Sequence, residues 1–148
     1  INRCCGGVSV PADISAYNDR LHRIQVIRLW RVVFASEAPH NQPEIAIDKK
    51  VPVGDELFLV ALLGGVVVGS VMAGYDGHRG WIYYLAVDPE YRQQQIGRRM
   101  MEKAESALNK LGCPKINLQV RTSNRAVISF YERLGFSNDN VIGLGKKL

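Results

Sequence analysis

The sequence predicts an α/β (α+β) chain: a mixed central sheet of about six or seven strands flanked by about four helices. Three observations carry that reading. The apolar stretch Leu57–Val87 breaks at two turns, Gly64-Gly65 and "DGHRG" (76–80), which makes it an antiparallel meander. At Asp88-Pro89 the apolar period changes from 2 to 3.6, so a long helix follows. Then comes "INLQV" (116–120). A strand, a crossover helix and another strand over 81–120 favour a parallel pair within the sheet.

The other elements follow in order. "INRCCGGVSVPA" has no initiator Met and no secretory apolar run, and residues 1–12 are expected as a loose leader. "ISAY" (14–17) is a short first strand. Asp19 caps a helix whose apolar stripe is Leu21, Ile24, Ile27 and Val32. "SEAPHNQP" (36–43) is a loop and "EIAIDKK" a short helix. The meander ends in an aromatic strand, "WIYYLAV" (81–87). The long helix begins near Ile96 and places Met100, Ala104, Ala107, Leu108 and Leu111 on one face. Gly112 caps it and Pro114 stops it. Ser123 or Asn124 starts a last helix that ends at Gly135, and "FSNDNVIGLGKKL" closes the chain as one or two strands.

Composition sets bounds on function. A chain of 148 residues suits one domain, 1–148, with an ordinary globular core. Net charge is +5, which favours anionic ligands, but the basic residues form no long run. Nucleic acid is therefore not an expected partner, and no stretch approaches the ~18 apolar residues of a membrane span. Cys4, Cys5 and Cys113 match neither zinc spacing nor a disulfide framework. Three free thiols, no metal and a cytoplasmic setting are expected.

Chemistry concentrates at "DPEYRQQQIGRRMM". A strand, a short turn and a helix start is where phosphates bind, because unpaired amides and the helix dipole converge there. Arg92, Arg98 and Arg99 add charge, so a pyrophosphate would suit the turn. An ordinary helix start with a solvated basic face fits the same residues. In the last helix, Val127, Phe130, Tyr131 and Leu134 fall on one apolar face, which core packing alone would explain.

Two motifs together are more specific. Leu85-Ala86-Val87-Asp88-Pro89 followed by Arg92-Gln93-Gln94-Gln95-Ile96-Gly97 resembles the acetyl-CoA loop of the GNAT (GCN5-related) N-acetyltransferase superfamily. "NRAVISFYERLGF" (124–136) is similar to that family's second signature through Asn124, Tyr131, Gly135 and Phe136. "GYDGHRG" and "GCPKI" resemble a bacterial subgroup of acetyltransferases without a defined substrate. The resemblance covers about Ile14 to Leu148. It implies one N-acetyltransferase domain, a sheet splayed between strands 81–87 and 116–120, and acetyl-CoA as cosubstrate.

It also implies roles. Leu85, Ala86, Val87, Arg92, Gln93, Gln94, Gln95, Ile96, Gly97, Arg98, Asn124 and Tyr131 would bind the cofactor. The backbone of Leu85 and Val87 would pair with the pantetheine arm as a strand does. The amide near Val87 is the candidate oxyanion donor and Tyr131 the general acid. Strict alternation would put Trp81, Tyr83 and Leu85 on one face and Ile82, Tyr84 and Ala86 on the other. Tyr83 or Tyr84 would border the acceptor amine.

Departures from the family pattern stand at two places. Where the family usually has glycine, this chain has Gln95, which cannot take φ > 0 without strain. The expectation is a loop that stays helical at 95, with the Gln95 amide aimed at phosphate; the alternative is an opened turn that binds CoA weakly. The general base is also missing: relatives carry it where this chain has Trp81, Tyr83 or Gln119. Asp76, His78, Glu37 and Glu44 remain as candidates, the first two also as substrate-side residues, and a water chain is the alternative.

The acceptor is expected to be a small-molecule or peptide amine. The walls expected at 36–50 and 137–145 hold few acids, which disfavours a polycation. A homodimer is left open. A non-catalytic acyl-CoA sensor is the main competing reading, and a nucleic-acid module a distant one.

Overall fold

A computed structural model of the chain describes residues 10–35 and 42–148. Residues 1–9 of the leader expected at 1–12 and most of the 36–43 loop, with Glu37, Cys4 and Cys5, lie outside the described residues; Ala12, expected in that leader, is buried just before the first strand. Two compact units emerge, one running to Leu118 and one from Gln119 to Leu148.

The first unit holds a five-stranded sheet in the order β1-β2-β3-β4-β5: β1 (Asp13–Ala16), β2 (Phe58–Leu63), β3 (Val66–Tyr75), β4 (Gly80–Val87) and β5 (Ile116–Asn117). The first three pairings are antiparallel and β4–β5 is parallel. The Gly64-Gly65 hairpin is confirmed in its chemistry: both glycines have positive φ, as a two-residue turn matched to strand twist requires. The parallel ladder covers only Gly80↔Ile116 and Trp81↔Asn117, while β4 runs on to Val87. The two strands therefore part early, as the expected splay demands, and β5 is shorter than 116–120.

The helices α1 (Asp19–Val33) and α2 (Pro43–Lys50) cover one face of the sheet. Val26, Leu29 and Trp30 of α1 and Ile47 of α2 pack with Phe58, Val60, Met72 and Ala86. This corrects the apolar stripe expected for α1. Leu21, Ile24 and Val32 are exposed, whereas His22, Val26, Leu29 and Trp30 are buried. Both sets have helical spacing, and the face that carries the tryptophan turns inward because it removes more apolar area from water. Asn18, not Asp19, is the N-cap: its side chain accepts from the Leu21 amide.

The opposite face is covered by α3 (Ile96–Lys110). Gly69 permits its close approach, since a Cβ there would stand 2.9 Å from Met100 Sδ. Ile96, Met100, Met101, Ala104 and Leu108 are buried. Leu111, expected on that face, is exposed, because it is already the C-cap before Gly112 turns the chain.

The second unit contains α4 (Arg125–Arg133), capped by the Asn124 side chain on the Val127 amide and ended by Gly135 at positive φ. The closing strands expected from "FSNDNVIGLGKKL" are absent: residues 137–148 form no strand. Val, Ile and Leu give that segment strand propensity, but a strand exists only where a ladder partner accepts its backbone. The sheet accordingly has five strands among the described residues, not six or seven.

Candidate active site

The far end of β4 departs from a regular strand. Ser70 pairs with Ala86 and Met72 with Tyr83, so Tyr84 and Leu85 together stand opposite Val71. This is a β-bulge. Its first extra residue, Tyr84, has φ of +52. The bulge changes which way the backbone faces. The Gly80 amide donates toward β5, to Lys115 O at 2.9 Å. The Asp88 amide donates toward β3, to Val68 O at 2.9 Å. In a regular strand residues eight apart point the same way. The inserted residue swaps the parity, so Leu85 and Val87 turn their N–H groups away from β3, toward the edge where the β5 ladder has stopped.

Side chains are rearranged too. Tyr83 shares the α1 face with its partner Met72, and Ala86 shares that same face with its partner Ser70. The alternation expected across 81–87 therefore fails after Tyr83. Tyr83 is 52% exposed; Tyr84 stacks on Trp30 with centroids 4.0 Å apart. Ala86 is buried and engages β3, so it offers little to a ligand at the open edge.

After Val87 the chain makes a short 3₁₀ turn, Pro89–Tyr91, capped by Asp88 on the Glu90 amide at 2.9 Å. Arg92 is extended, and Gln93 and Gln95 both have positive φ, +65 and +62. The expectation of a helical residue 95 is overturned. Gln95 is the N-cap of α3 in the left-handed conformation, the shape a glycine would take, because the loop must reverse before the helix begins. Its carbonyl accepts the first helical bond, from Arg99 at 3.0 Å, and its side chain caps nothing. The amides of Ile96, Gly97 and Arg98 thus lack intrahelical acceptors. Arg98 is paired with Glu102, one turn further into α3, at 3.0 Å. This mouth suits an anion by dipole, free amides and charge together.

Asp76 and His78 lie elsewhere. Both sit in the β3–β4 hairpin, and the strand from Gly80 to Val87 spans about 23 Å, seven residue steps. Asp76 accepts from the His78 and Arg79 amides at 2.8 and 2.7 Å, which lowers its pKa and suits it to hold the turn, not to take a proton. Glu44 is paired with Arg31. Among the described residues, none of the proposed bases stands at the open edge.

In the second unit, Tyr131 is the one buried residue of α4. Phe130 and Phe136 meet its ring edge-on, with centroids at 5.1 and 5.5 Å. Burial pushes its hydroxyl up to about 12, so it holds its proton throughout the neutral range.

Two residues that matter to the bulge escaped sequence reasoning. Ser70 and Trp30 are fully buried, and the Trp30 Nε1–H donates to Ser70 Oγ at 2.7 Å. A serine inside the apolar run "VVVGSVMAGY" was the only available signal.

Known proteins are similar to this chain in sequence and in fold. Residues 24–136 match the Acetyltransferase (GNAT) family. An acetyltransferase of Sodalis glossinidius is 49% identical over 125 residues, covering 84% of this chain and 87% of that protein. The crystal structure of Ard1 from Thermoplasma volcanium is similar at a TM-score of 0.73 and 25% identity, covering 86% of this chain and 84% of that one. The PaiA N-acetyltransferase of Thermoplasma acidophilum, solved in complex with coenzyme A, aligns at a TM-score of 0.70 and 23% identity, over 90% and 94% of the two chains. No helix among the described residues is long and apolar enough to cross a membrane. The chain belongs to the GNAT family of acetyl-CoA-dependent acetyltransferases.

Proposed function

We propose that this chain is a cytoplasmic N-acetyltransferase that acetylates a primary amine, on a peptide, a protein or a small molecule, by direct attack in a ternary complex. One observation carries the reading: the parity swap in β4 leaves the Leu85 and Val87 amides facing an edge free of β5, next in sequence to the α3 mouth. The family match runs through both units, which supports reading 1–148 as one catalytic domain.

Acetyl-CoA, when bound, supplies the thioester carbonyl that the amine attacks and the thiolate that leaves. The chain's own groups do the rest. The amides of Ile96, Gly97 and Arg98, with Arg92 and Arg98 side chains, hold the pyrophosphate. Gln93 and Gln95 shape that loop by their left-handed backbone, and Gln94 lies between them. Leu85 and Val87 would bond the pantetheine amides, and the Val87 N–H would be the donor for the carbonyl oxygen under attack. Asn124, which caps α4, would by the family resemblance also contact the pantetheine arm. Tyr131, protonated at neutral pH, would by the family resemblance give its proton to the departing sulfur. Asp76, His78 and Glu44 are otherwise placed or paired and Glu37 lies outside the described residues; in this reading water takes the amine's proton. A peptide α-amine, with an ordinary pKa of about 7.7–8.0, needs little help. Tyr83, half-exposed on β4, is the residue best disposed to meet the acceptor.

The test is thiol release from acetyl-CoA with a panel of peptide and small-molecule amines. At least one amine is expected to turn over, and Tyr131→Phe is expected to lower kcat about 10²–10³-fold while CoA binding stays near native. Firm CoA binding with no turnover on any amine would instead identify an acyl-CoA sensor.

A further inference from the structure

We infer that Ser70 and Trp30 are positioning residues for acetyl transfer: they hold the left-handed turn at Tyr84 that aims the Leu85 and Val87 amides at the open edge of β4. The inference rests on the reading of that edge as the thioester site.

Three contacts converge on the bulge. Ser70 Oγ donates to the Tyr84 carbonyl at 2.9 Å. The same Oγ accepts the Trp30 Nε1–H at 2.7 Å. The Trp30 ring lies against the Tyr84 ring, 4.0 Å between centroids and 14° between planes. The directions matter. A hydroxyl has one proton to give, and indole nitrogen can only donate. With Trp30 filling an acceptor position, the Ser70 proton is committed to Tyr84. One buried hydroxyl is thereby locked between helix α1 and strand β4, through β3.

What it locks is unfavourable by itself. A bulky aromatic residue at φ +52 is rare and persists only where its surroundings enforce it. Ser70 is also costly at a fully buried place in an apolar run, where valine would pack without a polar atom to satisfy. Its two bonds account for it. If the turn at Tyr84 relaxed to a regular strand, the parity of β4 would revert. Leu85 and Val87 would then turn their amides to β3, and the open edge would present Ala86 and Asp88 instead. Small displacements of such donors cost large factors in rate.

The experiment compares the native protein, Ser70→Ala and the double variant Trp30→Phe/Ser70→Ala. The double variant removes donor and acceptor together, so no buried indole N–H is orphaned, at the cost of a smaller ring in the core. Four quantities are read: kcat, the dissociation constant for CoA, that for 3′-phosphoadenosine 5′-diphosphate, which lacks the pantetheine arm, and the melting temperature. The expected result is a kcat 10- to 100-fold below native in both variants, CoA binding weakened severalfold, and the arm-less fragment bound as by the native protein. The double variant, which trades an orphaned indole N–H for the space the larger ring filled, should be as slow as Ser70→Ala whichever of the two melts higher. Native kcat in the double variant would overturn the inference, as would losses that track only the melting temperature. A native protein that neither bound CoA nor turned over would overturn the site reading itself, and this inference with it.

Discussion

Tyr84 and Gln95 are two side-chain-bearing residues in a conformation that favours glycine, eleven positions apart and placed on either side of one turn. Tyr84 is clamped: Ser70 holds its carbonyl and Trp30 covers its ring. Gln95 is exposed, its side chain caps nothing, and its carbonyl simply begins α3. A left-handed residue costs roughly 1–2 kcal/mol at either place. At Tyr84 the cost is met by tertiary contacts in the core, and at Gln95 by the need to reverse the chain before a well-packed helix. The first conformation is therefore enforced from outside the strand, the second from within the loop.

The largest way to break that contrast is Trp30→Ala. It removes the ring over Tyr84, the donor to Ser70 and a nearly fully buried side chain that also stacks on Phe58. A loss of about 3–5 kcal/mol is expected in chemical denaturation, as for other buried tryptophans. A loss below ~1 kcal/mol would mean that the clamp is not under load.

The two residues also differ in how far the sequence announces them. Gln95 is visible from sequence because the strand–turn–helix pattern and the spacing to Gly97 mark its position, although the left-handed shape it takes is not. Local chemistry is what makes such features legible: glycine turns, the Asn124 cap and the Gly112 and Gly135 stops all fall where the sequence places them. Tyr84 is invisible because "WIYYLAV" alternates as a regular strand would. Its bulge is set by residues 14 and 54 positions away in sequence. The same limit explains α1, where two apolar stripes compete and only the packed sheet selects the one with Trp30. It explains 137–148 as well, since propensity cannot supply a ladder partner. The Tyr131 motif position is legible, whereas its raised pKa comes from burial that only the fold creates.

Tyr84→Gly sharpens the comparison with a middle-sized effect. Glycine relieves the backbone cost but abandons the stack on Trp30 and the edge contact with Phe34. Aromatic pairs contribute about 0.5–1.5 kcal/mol beyond burial, and Tyr84 is only half-buried. A net destabilisation of about 1–2 kcal/mol is expected from urea midpoints. A stabilised Tyr84→Gly protein would show that backbone strain outweighs the contacts said to hold it.

Gln95→Gly is the opposite case and the smallest effect. No packed side chain is lost, because Gln95 is exposed and caps nothing. The left-handed cost disappears, and part of the gain is returned as extra freedom in the unfolded chain. The fold should gain up to about 1 kcal/mol. Affinity for CoA should change by less than about threefold, ~0.7 kcal/mol, because the loop already has the shape glycine would give it. Isothermal titration of the variant decides the point. A gain of tenfold or more would mean that the glutamine holds the α3 mouth in a form the pyrophosphate must first displace, and the loop would then be the mobile partner and the bulge the fixed one.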